Sequence, residues 1–400
     1  NVNTSLASGW REYDYELPRW LGKVDWNITD NHRLEFTALQ DRSKEDEDYN
    51  GFDYTTMQED IGDPVAGYTR DRKTRTYIGN YTGYLTENLT LSAMYGKSKT
   101  DYSGDPKGYD ASCPEISVTA GAEIPGLNYT TCQFSTAPGF LAGRFDENKA
   151  YRLDIEWRVG DHTLKAGWDA TDAESLVGSS NYNINYPGTL GETFAGGYRW
   201  TYYRADDPNE PIYEPQGVGS PASAGGYGAD GYYVVRNIGL NLSSPHVKQT
   251  AQYIKDSWQI TDNFLVELGL RNEQFENYAS DGTAFIDFNK QLAPRFGAIW
   301  DVNGDSSLKV YGSLGRYHLA LPNNVARRGV DGATNTSEAF VYTGIDPVTG
   351  APTGLTPLGP VYSPNNEFGQ SRDGRSFAPK SLKSHYQDTL VLGLEKALEF

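Results

Sequence analysis

Apolar and polar residues alternate strictly along most of this chain. Leu34, Phe36 and Ala38 fall on one parity, with Arg33, Glu35 and Thr37 on the other. The same rhythm runs through Leu89, Leu91, Ala93 and Tyr95, through Tyr151, Leu153, Ile155, Trp157 and Val159, and through Phe264, Val266, Leu268 and Leu270. It also runs through Trp20, Val24, Trp26 and Ile28. A period of two predicts β-strands with one apolar and one polar face. The polar parities carry charges, Lys23, Asp25 and Asn27 in one arm and Arg152, Asp154, Glu156 and Arg158 in another, so they are not a second core. The arms run about 10–13 residues, longer than the usual strand of about 5–6 and close to the roughly 9–11 of a tilted bilayer-crossing strand.

A motif joins the arms in pairs. The chain reads WNITDNHRL at Trp26–Leu34, WRVGDHTL at Trp157–Leu164, WQITDNF at Trp258–Phe264 and WDVNGDSSL at Trp300–Leu308. A fifth copy, GYLTENL at Gly83–Leu89, keeps the turn and places Gly in the Trp position. Asn, Asp and Gly at the bend tolerate positive φ or cap it with their own side chains. Between these tight turns the chain makes long excursions, roughly 43–73, 101–148, 173–247, 277–290 and 319–382. Short turns on one rim and long loops on the other predict an all-β fold, an antiparallel transmembrane β-barrel with short periplasmic turns and long extracellular loops. Trp26, Trp157, Trp258 and Trp300 then form a girdle at one lipid–water boundary. The irregular excursions exclude a propeller or solenoid, which repeat at a near-constant period.

Five hairpins give ten strands, and the segment from about Ser384, with Tyr386, Leu390, Leu392 and Leu394 on one parity, adds an eleventh. Single-chain bacterial barrels have even strand numbers, and an open edge in lipid leaves backbone groups unsatisfied. Residues 1–400 are therefore expected to be part of one larger barrel domain. The parity of Leu390–Phe400 resembles a terminal strand of an outer-membrane protein, but Lys396 interrupts it and LEKAL stands where a short turn is due.

Composition sharpens this picture. The chain has 400 residues, 53 acids against 35 bases and a net charge of −18, yet 8 Trp, 29 Tyr and 43 Gly. That aromatic content argues against disorder. No run of 18 apolar residues could form a membrane helix, whereas a barrel strand needs only alternate apolar positions. The acidic balance disfavours nucleic acid, whose phosphates demand Lys and Arg. The opening NVNTSLASGW has neither a basic segment nor an apolar signal core, as after processing or in an excerpt. Cys113 and Cys132 are candidates for a disulfide in an oxidising compartment, contributing about 3 kcal/mol by chain entropy; the alternative is two unpaired loop thiols.

Three segments resemble TonB-dependent outer-membrane receptors, especially the Oar-like branch. They are YIKDSWQITDNFLVELGLRNEQF at 253–275, QLAPRFGAIWDVNGDSSLKVYGSLGRY at 291–317 and LKSHYQDTLVLGLEK at 382–396. The match is specific over about 250–400 and only patterned before it. The resemblance implies a 22-stranded barrel in the outer membrane of a Gram-negative bacterium. It also implies an N-terminal plug and a short segment pulled by the TonB complex. Neither plug nor TonB-binding segment is recognised in this chain, so energy-coupled import rests on the resemblance alone.

Candidate chemistry is sparse. The five histidines (His32, His162, His246, His318 and His385) are scattered without metal-site spacing, and His32 and His162 read as solvated turn residues. The acidic run Glu45–Asp48 reads as a solvated charge run opening the first long loop. It lacks the spaced ligands and Gly of a calcium loop. Asp301–Asp305 (DVNGD) reads as a hairpin turn and Gly217–Tyr232 as a flexible loop rich in small residues and Tyr. With no GxSxG and no persuasive triad, no enzyme and no cofactor are expected. The lumen-parity charges Glu267, Arg271 and Arg295 either contact a plug, line a water-filled path, or form a charge ladder satisfied by strand neighbours and water. Three functions remain: a TonB-coupled receptor and transporter binding substrate at its loops, a surface adhesion or assembly barrel, and a passive porin.

Overall fold

The computed structural model describes residues 10–60, 66–107, 113–129, 143–180, 186–187, 193–194, 198–212, 220–322, 332–370, 372–377 and 382–398. In chain order its principal strands are β1 (Trp10–Glu16), β2 (Arg19–Thr29), β3 (His32–Asp53), β4 (Ala66–Thr86), β5 (Leu89–Lys107), β6 (Glu115–Val118), β7 (Arg144–Val159) and β8 (His162–Ser180). They continue as β9 (Tyr198–Arg204), β10 (Tyr232–Ser243), β11 (His246–Thr261), β12 (Phe264–Tyr278), β13 (Ala284–Asp301), β14 (Leu308–Leu319), β15 (Ala333–Val341), β16 (Thr356–Pro357) and β17 (His385–Lys396).

Eleven of these form one antiparallel meander, β2-β3-β4-β5-β7-β8-β11-β12-β13-β14-β17. Among the described residues the meander is open, β2 and β17 each having one long neighbour. β1 continues β2 along the upper half of β3, and Pro18 sits between them on the edge, where a missing N–H is tolerated.

The repeated motif has a local explanation. Three hairpins share a register shift just before the turn, between Asn27 and Thr29, Tyr84 and Thr86, and Gln259 and Thr261. The bulge brings a Thr to the bend. Thr29 Oγ1 accepts from the Asn31 N–H at 3.3 Å and Thr86 Oγ1 from the Asn88 N–H at 3.3 Å. Thr261 Oγ1 instead donates to Asn263 Oδ1 at 2.7 Å. Ile/Leu-Thr-Asp/Glu-Asn is thus a bulge followed by a side-chain-capped turn. The DVNGD segment is a hairpin turn as expected: Asp301 accepts from the Ser306 N–H at 2.8 Å, and Gly304 takes φ +71°.

The apolar parity faces out of the sheet, and among the described residues nothing covers it. Val24 is 63% exposed, Ile254 58% and Leu392 78%. Such a continuous apolar face is not a property of water-solvated monomers. The opposite parity pairs its charges across strands, as where Lys23 meets Glu35 at 3.1 Å and Arg33 meets Asp25 at 3.2 Å.

Two expectations are corrected at the far end of the strands. The first excursion is mostly strand, because β3 runs to Asp53 and β4 starts at Ala66, and the second begins and ends in strand, since β5 runs to Lys107 and β7 starts at Arg144. Glu45–Asp48 therefore is not a solvated run opening a loop. Alternation sends Glu45 and Glu47 to the polar face, where Arg70 lies 3.1 and 3.6 Å away, and Glu47 is 2% exposed. Asp46 and Asp48 turn to the other face and pair with Lys107. Backbone pairing continues into water on such charge pairs, which an apolar period cannot reveal.

The Arg42 guanidinium holds the Asp71 carboxyl below the usual carboxylate range, and the Lys107 ammonium does the same for Asp46. A depressed folded-state value stabilises above the ordinary carboxylate value near 4, and the contribution disappears as pH falls through the lowered value. Amide exchange, corrected for intrinsic rates, is expected to show protection of the β3–β4 tips falling below about pH 4. Unchanged protection at pH 3 would contradict it.

The loops on the side opposite the short turns build a second structure, which we term the cap. β6 lies parallel to β9, and β9, β10, β15 and β16 continue antiparallel. The lower end of β10 pairs with the end of β8, tying the cap to the meander. Both faces of this small sheet are covered. Tyr233, Val235, Ala339, Val341, Ile212, Ala222 and Leu358 pack on one side, and Trp200, Tyr202, Val234, Phe340, Tyr342 and Ala122 on the other. The described part of the Gly-rich stretch is not a flexible loop. Ala222–Ala224 and Gly226–Asp230 are 3-10 turns, and Ala222 is fully buried. Gly226 takes φ +52°, and a Cβ there would stand 2.3 Å from the Tyr342 carbonyl oxygen, so here glycine serves close packing.

Candidate functional site

The lumen-parity charges converge on the polar face of β7, β8, β11, β12 and β13. Hairpin register dictates the meeting: Tyr253 lies opposite Arg271, Gly269 opposite Arg295, and Arg152 opposite Asp169. Arg271 reaches across β11 to grip Asp169 with two hydrogen bonds of 2.7 and 2.8 Å, while its Nε donates to Glu273 at 2.9 Å. Glu267 receives Lys255 at 2.5 Å and the Ser257 hydroxyl at 3.3 Å.

Arg295 differs. It stacks over the Tyr317 ring at 4.5 Å, makes no ion pair among the described residues, and its buried Nε has no hydrogen-bond partner. These side chains, with Arg152, Lys165 and Tyr253, line an open depression of about 490 Å³. So Glu267 and Arg271 are neutralised by strand neighbours, and Arg295 presents an uncompensated charge.

The sequence reading named Asp154 only as a polar-face charge and did not single out Asp169 or Tyr253. The Tyr253 hydroxyl donates to Asp154, which Arg152 Nε also meets at 2.7 Å. Gly167 makes this possible: a Cβ there would stand 2.6 Å from the Tyr253 ring. Counting register outward from the Gly160 turn, which pairs Val159 with His162, places Gly167 opposite Asp154, so that signal was present.

The four tryptophans lie one to three residues from short turns on the exposed parity, with Trp26 60%, Trp157 50%, Trp258 38% and Trp300 45% exposed. His162 is not a free turn residue. It stacks on Trp258 with centroids 5.2 Å apart, and its Nδ1 lies 2.8 Å from Asp256. His32 likewise meets the Tyr81 hydroxyl at 2.8 Å. Both contacts cross to another hairpin, which spacing cannot reveal. Cys113 is fully buried and disulfide-bonded, while Cys132 lies outside the described residues, as do Gly217 and Phe400. No cluster of three potential metal ligands occurs among the described residues.

In the cap, Tyr202 is fully buried, edge-on to Tyr129 and Tyr342 at 4.8 and 5.3 Å, and donates to the Gly350 carbonyl at 2.8 Å. Burial raises the Tyr202 and Tyr342 phenols far above their ordinary value, and Tyr233 is pushed up to about 12. All three hydroxyls stay protonated.

A long-stranded antiparallel meander, apolar outside, charged inside and short-turned at one rim, defines an outer-membrane β-barrel protein. The chain belongs to the outer membrane beta barrel domain family, whose model matches residues 11–291, so the family extends well into the part where the motif match was only patterned. It resides in the outer membrane. An 85-residue stretch is 29% identical to the TonB-dependent transporter Oar of Myxococcus xanthus, covering 21% of this chain and 8% of that protein. The outer membrane transporter YddB from Escherichia coli superposes with a TM-score of 0.41 at 12% identity, over 83% of this chain and 38% of its own. The siderophore receptor PiuA from Acinetobacter baumannii gives 0.35 at 12% identity, over 82% and 53%. The chain thus spans well under two thirds of these proteins.

Proposed function

We propose that this chain is barrel from a receptor and transporter that takes up a substrate bound at its extracellular loops, driven through the TonB complex. The observation that carries it is the cap: an ordered aromatic module joined to the barrel through β10 suits recognition better than bulk diffusion. The likeness to Oar supplies the TonB dependence. Residues 1–400 are then one portion of the barrel domain, Trp26, Trp157, Trp258 and Trp300 mark the periplasmic lipid boundary, and Cys113 is bridged to Cys132. A plug is the natural partner of Arg295, because a polar element inside the barrel could satisfy the unpaired Nε. No catalytic role is assigned.

Uptake of candidate solutes by intact cells, with and without a proton uncoupler, tests the reading. Uptake abolished by the uncoupler supports it. Ion conductance in planar bilayers that is independent of energy would favour a porin, and surface binding with no uptake an adhesion barrel.

Arg295 and Arg271 should separate in such assays. Arg271→Ala leaves Asp169 and Glu273 without their shared cation and is expected to lower stability by about 2 kcal/mol, a buried-pair loss discounted for partial exposure. Arg295→Ala breaks no ion pair, so stability should shift by less than about 1 kcal/mol while uptake falls. Denaturant midpoints in vesicles, read beside uptake rates, check both. Equal stability losses would remove Arg295 from the proposed contact.

A further inference from the structure

β1 places two tyrosines where neither a core nor the bilayer requires them. Tyr13 and Tyr15 lie opposite Glu47 and Glu45, and residues opposite each other in an antiparallel pair share a face. Both phenols therefore stand on the polar, inner face, beside the part of β3 that lies beyond its apolar arm of Leu34, Phe36 and Ala38. Their rings are stacked, with centroids 6.2 Å apart and planes 10° apart, and remain 45% and 55% exposed. The cap tyrosines Tyr202 and Tyr342, by contrast, are fully buried. Two residues apart on one strand, Tyr13 and Tyr15 make a flat aromatic strip two rings long.

The charges beside the strip cancel. Arg70 lies 3.1 Å from Glu45 and 3.6 Å from Glu47, and Arg11 lies 3.4 Å from Glu47, so two bases meet two acids. Arg70 reaches both acids through Nη1 alone, which leaves its other guanidinium donors on a half-exposed side chain. Further down the same face, one rung sets Arg72 and Arg144 around Tyr102, whose hydroxyl donates to Asp146 at 2.7 Å. Below that rung, β4 over Thr74–Thr82 and β5 over Ser92–Thr100 present no ionisable side chain to the inner face. Hydroxyl meets hydroxyl there, Thr74 with Thr100 at 2.9 Å and Thr76 with Ser98 at 2.8 Å. Charges on the flanking strands are partnered: Asp41 with Arg19, Glu35 with Lys23, and Arg152 with Asp154.

We propose that the substrate is an uncharged oligosaccharide and that Tyr13 and Tyr15 stack against two successive sugar rings. The inference rests on the uptake reading above, and the strip adds a subsite to the recognition assigned to the cap. A sugar ring presents C–H groups on its faces and hydroxyls around its rim. The faces suit the electron-rich face of a phenol, and the rim suits neighbouring acids and bases that accept and donate hydrogen bonds. Because those acids and bases cancel, neither a cation nor an anion finds a net charge to bind. The uncharged sector below continues the same chemistry, since hydroxyls exchange hydrogen bonds with a hydroxylated solute without holding it by charge.

The test uses the intact protein in uncharged detergent, titrated calorimetrically with neutral hexose oligomers in α- and β-linkage, their uronic-acid counterparts and the free monosaccharides. At least one neutral oligomer is expected to bind, at least tenfold more tightly than its monosaccharide and more tightly than its uronic-acid counterpart, with an affinity that salt leaves unchanged. Tyr13→Ala and Tyr15→Ala should each weaken it at least tenfold, whereas Tyr13→Phe and Tyr15→Phe, which keep the ring, should stay within threefold. Both rings are exposed, so all four variants should retain the heat-dependent gel shift of a folded barrel. Failure of every neutral oligomer to bind, or wild-type affinity in both alanine variants, overturns the assignment. The two readings fail separately. Oligomer binding with uptake that ignores an uncoupler sinks the energy coupling alone, and uncoupler-sensitive uptake of another solute with no oligomer bound sinks the sugar assignment alone.

Discussion

Ile254→Arg is expected to destabilise the membrane-inserted protein by about 2–4 kcal/mol, the cost of a cation near the middle of a barrel's lipid face. Ile254 sits on β11 four residues before Trp258, flanked by Ala166 on β8 and Leu270 on β12. It is 58% exposed, so a longer side chain meets no protein wall and the penalty comes from hydrocarbon alone. The neighbouring Lys255 points to the other face and already holds a charge against Glu267. Lys255→Arg should therefore be nearly silent, within about 1 kcal/mol. Equilibrium unfolding in phospholipid vesicles separates the two. If Ile254→Arg proved as mild as Lys255→Arg, the exposed parity would not face lipid, and the tryptophan girdle would go with it.

Tyr202→Ala is the second large effect, expected to destabilise the cap by about 3–5 kcal/mol. The residue is fully buried, and its removal leaves a void between Tyr129 and Tyr342 as well as an unmet Gly350 carbonyl. Tyr202→Phe keeps the ring and should lose only about 1–2 kcal/mol, the hydrogen bond. Because the cap joins the meander chiefly through the β10–β8 pairing, its unfolding should leave the barrel inserted. Limited proteolysis is expected to cut the cap of Tyr202→Ala first, with the gel shift of the barrel retained and substrate binding lost. A single transition in which both parts unfold together would mean that cap and barrel are one cooperative unit. Substrate binding that survived cap cleavage would count against recognition at the cap.

The sequence alone determined the parts governed by local periodicity. The period of two assigned each face of Leu89–Tyr95 or Phe264–Leu270, the Thr-Asp-Asn turns located the hairpins, and hairpin register follows from each turn because side chains alternate without slack. The eleven long strands and the exposure of Trp26, Trp157, Trp258 and Trp300 were legible for that reason. What lay beyond reach were contacts between segments distant in the chain. Glu45–Asp48 looked solvated until Arg70 and Lys107 were placed opposite, and Gly217–Tyr232 looked flexible until Tyr342 packed against Gly226. Arg271 and Arg295 carry the same charge on the same parity. Only the tertiary structure, by setting Asp169 beside one and an aromatic ring beside the other, decided which remains unpaired.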